Sequence, residues 1–168
     1  GKSMTALWLM GLVPRPQGQV SAKSILLDGT DLATLSPDGM RRIRGNEIGV
    51  VFQEPMTSLN PVRRIWDQVG EPLAVHHGLG RRAIRDRVLE MFELVGIPEP
   101  KARLEAYPHE LSGGLRQRAM IAMGLICEPK LLIADEPTTA LDVTTQSQIL
   151  KLMLDLRDRV GTAIIMIT

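Results

Sequence analysis

The stretch Leu111 to Asp142, LSGGLRQRAMIAMGLICEPKLLIADEPTTALD, decides how the rest of the chain is read. Its second half holds a short apolar run, Leu131-Leu132-Ile133-Ala134, that closes on two adjacent carboxylates, Asp135 and Glu136. Four apolar residues ahead of a Pro-Thr-Thr turn suit a fully buried strand of a parallel sheet. Acids at the carboxyl end of such a strand lie where open α/β sheets bind ligands. One carboxylate can hold a metal ion. Its neighbour, pointing the other way by strand alternation, can orient or deprotonate a water. The first half supplies the Ser112 hydroxyl and the unencumbered N–H groups of Gly113 and Gly114 just before a helical run, an anion site at a helix N-terminus.

Composition sets the outer bounds. The 168 residues are enough for one sizeable core, and 23% charged with 44% hydrophobic residues is ordinary for a globular domain. Twenty basic residues against nineteen acidic ones give +1, which points neither toward nor away from nucleic acid. The single cysteine, Cys127, excludes an internal disulfide, suits a reducing compartment and lies on an apolar helical run, so it reads as a buried, inert thiol. No apolar run reaches the roughly 18 residues of a membrane span. The apolar opening from Met4 to Val13 is not a signal peptide, because Pro14-Arg15-Pro16 follows without a small-residue cleavage pattern.

Ser112-Gly113-Gly114 with Arg116-Gln117-Arg118, then LLIADEP and Ala140-Leu141-Asp142, resembles the nucleotide-binding domain of an ATP-binding cassette (ABC) ATPase. Either motif alone is common; their order, with Asp135 twenty-three positions after Ser112, carries the resemblance. Gly1-Lys2-Ser3 then matches the last three positions of a P-loop, G-x-x-x-x-G-K-[ST], with a helix beginning there. The resemblance implies that Gly1 and Lys2 bind phosphates and that the Ser3 hydroxyl binds Mg²⁺. It also implies that the chain is a fragment, begun inside the P-loop and ended just before the family's switch histidine. Such a fragment is expected to bind ATP weakly and to hydrolyse it negligibly.

Between these ends the periodicity is coarse but readable. Gly18 to Asp28 alternates as a strand with Asp28-Gly29 as its turn, and Ser36-Pro37-Asp38 reads as a helix start. Glu47 to Phe52 is a buried strand delivering Gln53 into a loop, where the resemblance implies a Q-loop glutamine touching Mg²⁺ or the attacking water. Helical patterns run from Ile65 to Val75, Arg81 to Val95 and Gly113 to Cys127. Arg81, Arg82, Arg85 and Arg87 read as a solvated face, His76-His77 lacks metal-ligand spacing, and His109 reads as structural. Asp142 precedes a helix from Val143 to about Val160; as a cap it needs no function, and the resemblance makes it a D-loop aspartate that signals across a dimer. Thr162 to Ile167 is one more buried strand.

The expected fold is α/β: a P-loop NTPase core with a mainly parallel sheet from residues 1–63 and 128–168, and an inserted helical subdomain from 64–127 carrying the signature. The resemblance implies an ATP- and Mg²⁺-dependent ATPase in which Lys2, Ser3, Gln53, Asp135 and Glu136 serve one nucleotide. Ser112, Gly113 and Gly114 serve that of a second ABC subunit, and Glu136 is the base. FQEPMTSLNP, YPHELSGG and ADEPTTALDV resemble most closely the dipeptide, oligopeptide and nickel importer ATPases, with Leu115 and Gly124 as mild departures. Implied partners are transmembrane permease subunits and, indirectly, a solute-binding protein, at the cytoplasmic face of the membrane, with no nucleic acid. A rival reading is an ABC-type ATPase of DNA repair or chromosome maintenance. Against it, only 59 positions separate Gln53 from Ser112, without sustained heptads or zinc-type cysteine pairs. A non-catalytic regulator fits poorly, since Lys2, Ser112 and Glu136 are all present.

Overall fold

The computed structural model describes residues 2–13, 22–53, 58–139 and 141–168, and the backbone but not the side chain of Lys2. Its centre is a parallel sheet of three strands in the order β3-β4-β5: β3 (Ile48–Val51), β4 (Leu131–Asp135) and β5 (Ala163–Ile167). The register sets Val51 beside Ala134 and Asp135 beside Ile167, so all three strands end at one edge. The expectation of buried strands holds for β3, two residues shorter than its expected span, and for β4, which runs one residue past its apolar stretch to Asp135; it fails for β5, whose residues are exposed or half-buried because it stands at the edge of this three-stranded sheet.

Strand alternation divides the core into two. Ile48 and Ile133 face a smaller cluster formed with Ala6 and Met10 around α1 (Lys2–Leu9) and with Met40 and Ile43 of α2 (Pro37–Ile43). Val51, Leu132 and Ala134 face a larger one shared with the helices of the middle of the chain. Ser36 caps α2, its hydroxyl accepting from the Gly39 N–H at 3.1 Å with Pro37 at the first helical position. Between α1 and α2 the strand expected over residues 18–28 is, among the described residues, reduced to a short hairpin. Residues 18–21 lie outside the described part, 22–25 are not strand, and only β1 (Leu26–Leu27) pairs with β2 (Thr30–Asp31) across the Asp28-Gly29 turn.

The expected helix over Ile65–Val75 is two helices, α3 (Ile65–Val69) and α4 (Glu71–His77), broken at Gly70. Pro72 has no N–H to give the Gln68 carbonyl and its ring would crowd that carbonyl, so the helix restarts. Gly70 is also needed small, because a Cβ there would collide with the Ile84 side chain. Helix α5 (Arg81–Leu94) follows, then α6 (Pro100–Leu104), too short to show periodicity. Arg81 and Arg85 are not a purely solvated face: their guanidinium carbons lie 4.8 and 5.0 Å from the ring centroid of buried Trp66, and Arg85 and Arg64 both pair with Glu105. Arg87 pairs with Glu90 and Glu128. Helix α7 (Gly113–Leu125) packs directly on β3, and α8 (Val143–Val160) matches its expected span, stopped by Gly161 in the left-handed conformation.

His77 Nε2 lies 3.0 Å from Asn46 Oδ1, and the His109 ring stacks on Tyr107, so both histidines have structural contacts. Among the described residues no cluster of three or more His, Cys, Asp or Glu could hold a metal, and no helix is long and apolar enough to cross a membrane.

Candidate functional site

The carboxyl edge of the sheet gathers residues far apart in sequence. Asp135, the last residue of β4, is only 7% exposed, and its Oδ1 accepts a hydrogen bond from Ser3 Oγ at 3.2 Å. A buried carboxylate needs such a partner. Helix α1 starts at Lys2, which brings Ser3 in its first turn over the end of β4. The two oxygens suit a hard cation: Mg²⁺ is held by one or two protein oxygens and completed by phosphates and water, and they need no third protein carboxylate for that. Gly1 lies outside the described residues, and the Lys2 ammonium is likewise not described.

Glu136 has left strand geometry. Its φ is +46°, so its direction comes from this left-handed turn rather than from continued strand alternation. Its N–H donates to the Ile167 carbonyl at 2.9 Å, anchoring the turn to β5. Its Oε2 accepts from Gln53 Nε2 at 3.1 Å and from Thr139 Oγ1 at 3.0 Å. Gln53 stands two residues past β3, so pairing of β3 with β4 is what brings it to the acids. The structure thus gathers Ser3 with Asp135 and Gln53 with Glu136. Thr139 is a site neighbour that the sequence reading passed over, since a threonine in a turn carries no distinctive signal.

Ser112, Gly113 and Gly114 form a second group. Ser112 caps α7, its Oγ accepting from the Leu115 N–H at 3.4 Å, and it is exposed. A Cβ on Gly113 would touch Leu141 at 3.6 Å, and one on Gly114 would press Thr145 Cγ2 at 3.0 Å. The start of α7 therefore lies against the start of α8. Asp142 caps that helix, accepting from Thr145 N–H at 3.0 Å and from Thr145 Oγ1 at 2.6 Å; these bonds hold its carboxyl below the usual carboxylate range. Two helix N-termini with small or capping residues are thus presented side by side.

Fold and motif order agree with what comparison finds. The family model described as ABC transporter matches residues 1–139, and the chain belongs to this family. It is 52% identical to the oligopeptide transport ATP-binding protein OppD of Bacillus subtilis, over all of this chain and 47% of that protein. It is 51% identical to the dipeptide transport ATP-binding protein DppD of Haemophilus influenzae, over all of this chain and 51% of that one. The chain spans about half the length of the curated relatives it matches. Among solved structures, the ATP-binding cassette MJ0796, a dimer in a post-hydrolysis state bound to ADP and Pi, superposes with a TM-score of 0.81. It shares 29% identity, and the match covers all of this chain and 69% of that one.

Proposed function

We propose that the full-length protein hydrolyses ATP to drive import of peptides through an ABC transporter. The observation that carries this reading is the meeting of Ser3 with Asp135 and of Gln53 with Glu136 at one sheet edge. It is supported by relatives named for peptide, dipeptide and oligopeptide transport. Gly1 and Lys2 bind the phosphates, while Ser3, Asp135 and Gln53 are the residues that hold Mg²⁺. When bound, that ion neutralises charge on the transferring phosphoryl group. Glu136 accepts a proton from the attacking water through its carboxylate, and Gln53 orients that water. Ser112, Gly113 and Gly114 face the nucleotide of a second subunit, and Asp142 links the two sites. Residues 1–63 and 128–168 form the core, and 64–127 form the helical part.

The partners in this reading are a second ABC subunit, transmembrane permease subunits and, indirectly, a solute-binding protein, at the cytoplasmic face of the membrane. The test is Glu136→Gln in the full-length protein. ATP affinity should stay within about twofold while Mg-ATP turnover falls by roughly a hundredfold or more, since a lost general base costs 10²–10⁴ in rate. Turnover equal to that of the unaltered protein removes Glu136 from this role.

A further inference from the structure

We infer that Thr139 is a positioning residue for the Glu136 carboxylate, and this rests on the reading of Glu136 as the base. The Thr139 hydroxyl donates to Glu136 Oε2 at 3.0 Å, the same oxygen that takes the Gln53 amide at 3.1 Å. Two donors on one oxygen fix the carboxylate plane and leave Oε1 to take the proton from water.

The turn does not need this hydroxyl. Its backbone is closed by the Thr139 N–H on the Glu136 carbonyl at 3.3 Å and the Leu141 N–H on the Thr138 carbonyl at 3.1 Å, and it is tied to β5 through the Glu136 N–H. Thr139 itself is exposed, so its hydroxyl is not held there by a need to satisfy a buried group. Among the described residues, the Glu136 side chain has no hydrogen-bonding support beyond Gln53 and Thr139. It leaves a left-handed residue at the end of a strand, and both of its described hydrogen bonds come from side chains, Gln53 and Thr139. Gln53 sits in the loop after β3 and Thr139 in the turn that carries Glu136 itself. If Gln53 turns toward nucleotide, Thr139 is the donor that stays with the carboxylate. A carboxylate free to rotate presents its proton-accepting oxygen to water for a smaller fraction of the time, and rate falls with that loss of orientation.

The experiment compares Thr139→Val, Thr139→Ala and Thr139→Ser in the full-length protein, with Glu136→Gln in parallel. Valine keeps the β-branched shape and removes the donor; alanine removes the donor without adding a methyl group; serine keeps the hydroxyl. We expect kcat to fall roughly five- to twentyfold for valine and alanine, with KM for ATP within about twofold, because the orientation of the carboxylate bears on proton transfer from water and not on nucleotide binding. Serine should recover most of the loss. Unchanged kcat in both donor-free variants, with Glu136→Gln inactive, overturns the inference and leaves the base in place. A serine variant as slow as valine, with KM raised in both, assigns Thr139 to packing and also overturns it. Normal turnover in Glu136→Gln removes the reading on which the inference rests, whatever the threonine variants do.

Discussion

Gly49 in β3 and Gly124 in α7 approach so closely that a methyl group on Gly49 would overlap the Gly124 carbonyl oxygen. This contact lets α7 lie flat on the sheet beside Val51 and Leu132, and so sets where the Ser112 end of that helix stands. It also explains why a glycine at 124 suits this chain: a Cβ there would press on Leu132 Cδ1 at 2.9 Å and meet the Val50 carbonyl at 3.4 Å.

Gly49→Ala should therefore destabilise the fold by about 1–3 kcal/mol or more, since the obstacle is backbone and cannot rotate away. A denaturant titration reads this as a lowered midpoint. Gly80→Ala serves as the control, with open space around its Cβ and a negative φ at the cap of α5; it should shift stability by only a few tenths of a kcal/mol. Equal midpoints for the two variants would mean that α7 and β3 can separate freely.

Ser112→Arg places a long cation at the exposed start of α7. ATP binding by a single subunit should change little, because Ser3 and Asp135 form a different group. In a Glu136→Gln background, the ATP-dependent dimer seen by size exclusion should disappear. A dimer that persists would place the signature serine away from the partner's nucleotide.

Cys127 gives a pH prediction. Burial, with a smaller contribution from the neighbouring Glu128 carboxylate, pushes its thiol up to about 11. The thiolate is the reactive form, so at pH 8 only about one molecule in a thousand is poised to react, against roughly a quarter for an ordinary thiol. Alkylation by iodoacetamide should be slow at pH 8 and should accelerate about tenfold per pH unit up to near 11. Fast labelling at pH 8 would show that the helix end around Cys127 opens readily.

The parts of the fold and of the candidate site that were legible in the sequence are those where local chemistry and tertiary need coincide. β4 ends in acids because a buried apolar run must stop where polar groups begin, and α8 runs from an aspartate cap to a glycine stop. Residues 65–77 were harder: their apolar spacing is helical on both sides of Gly70, and only Pro72 marks the restart. The role of Arg81 and Arg85 was hidden because their aromatic partner, Trp66, lies on a different helix. Glu136 was recognisable as an acid after a strand, but its left-handed backbone was not. That conformation comes from the turn through Thr139 and the bond to Ile167, which no residue pattern announces. Lys2 could be placed at the start of α1, while Gly1 and residues 54–57 lie outside the described part of the chain.

The pairing of β3 with β4 has a kinetic consequence. Among the described residues, the chain between these neighbouring strands holds helices α3 to α7, so their hydrogen bonds close a long loop before β3 gains its partner. Closing a loop costs entropy that grows only slowly with length, about 0.6 kcal/mol per doubling, but it delays contacts between distant residues. Helices α3 to α6 contact one another over short separations and can condense first. On a growing chain, Gln53 has to wait for Glu136 to be synthesised. The hydrogen bond between Gln53 and Glu136 depends on that closure, so it forms only once β3 and β4 have paired.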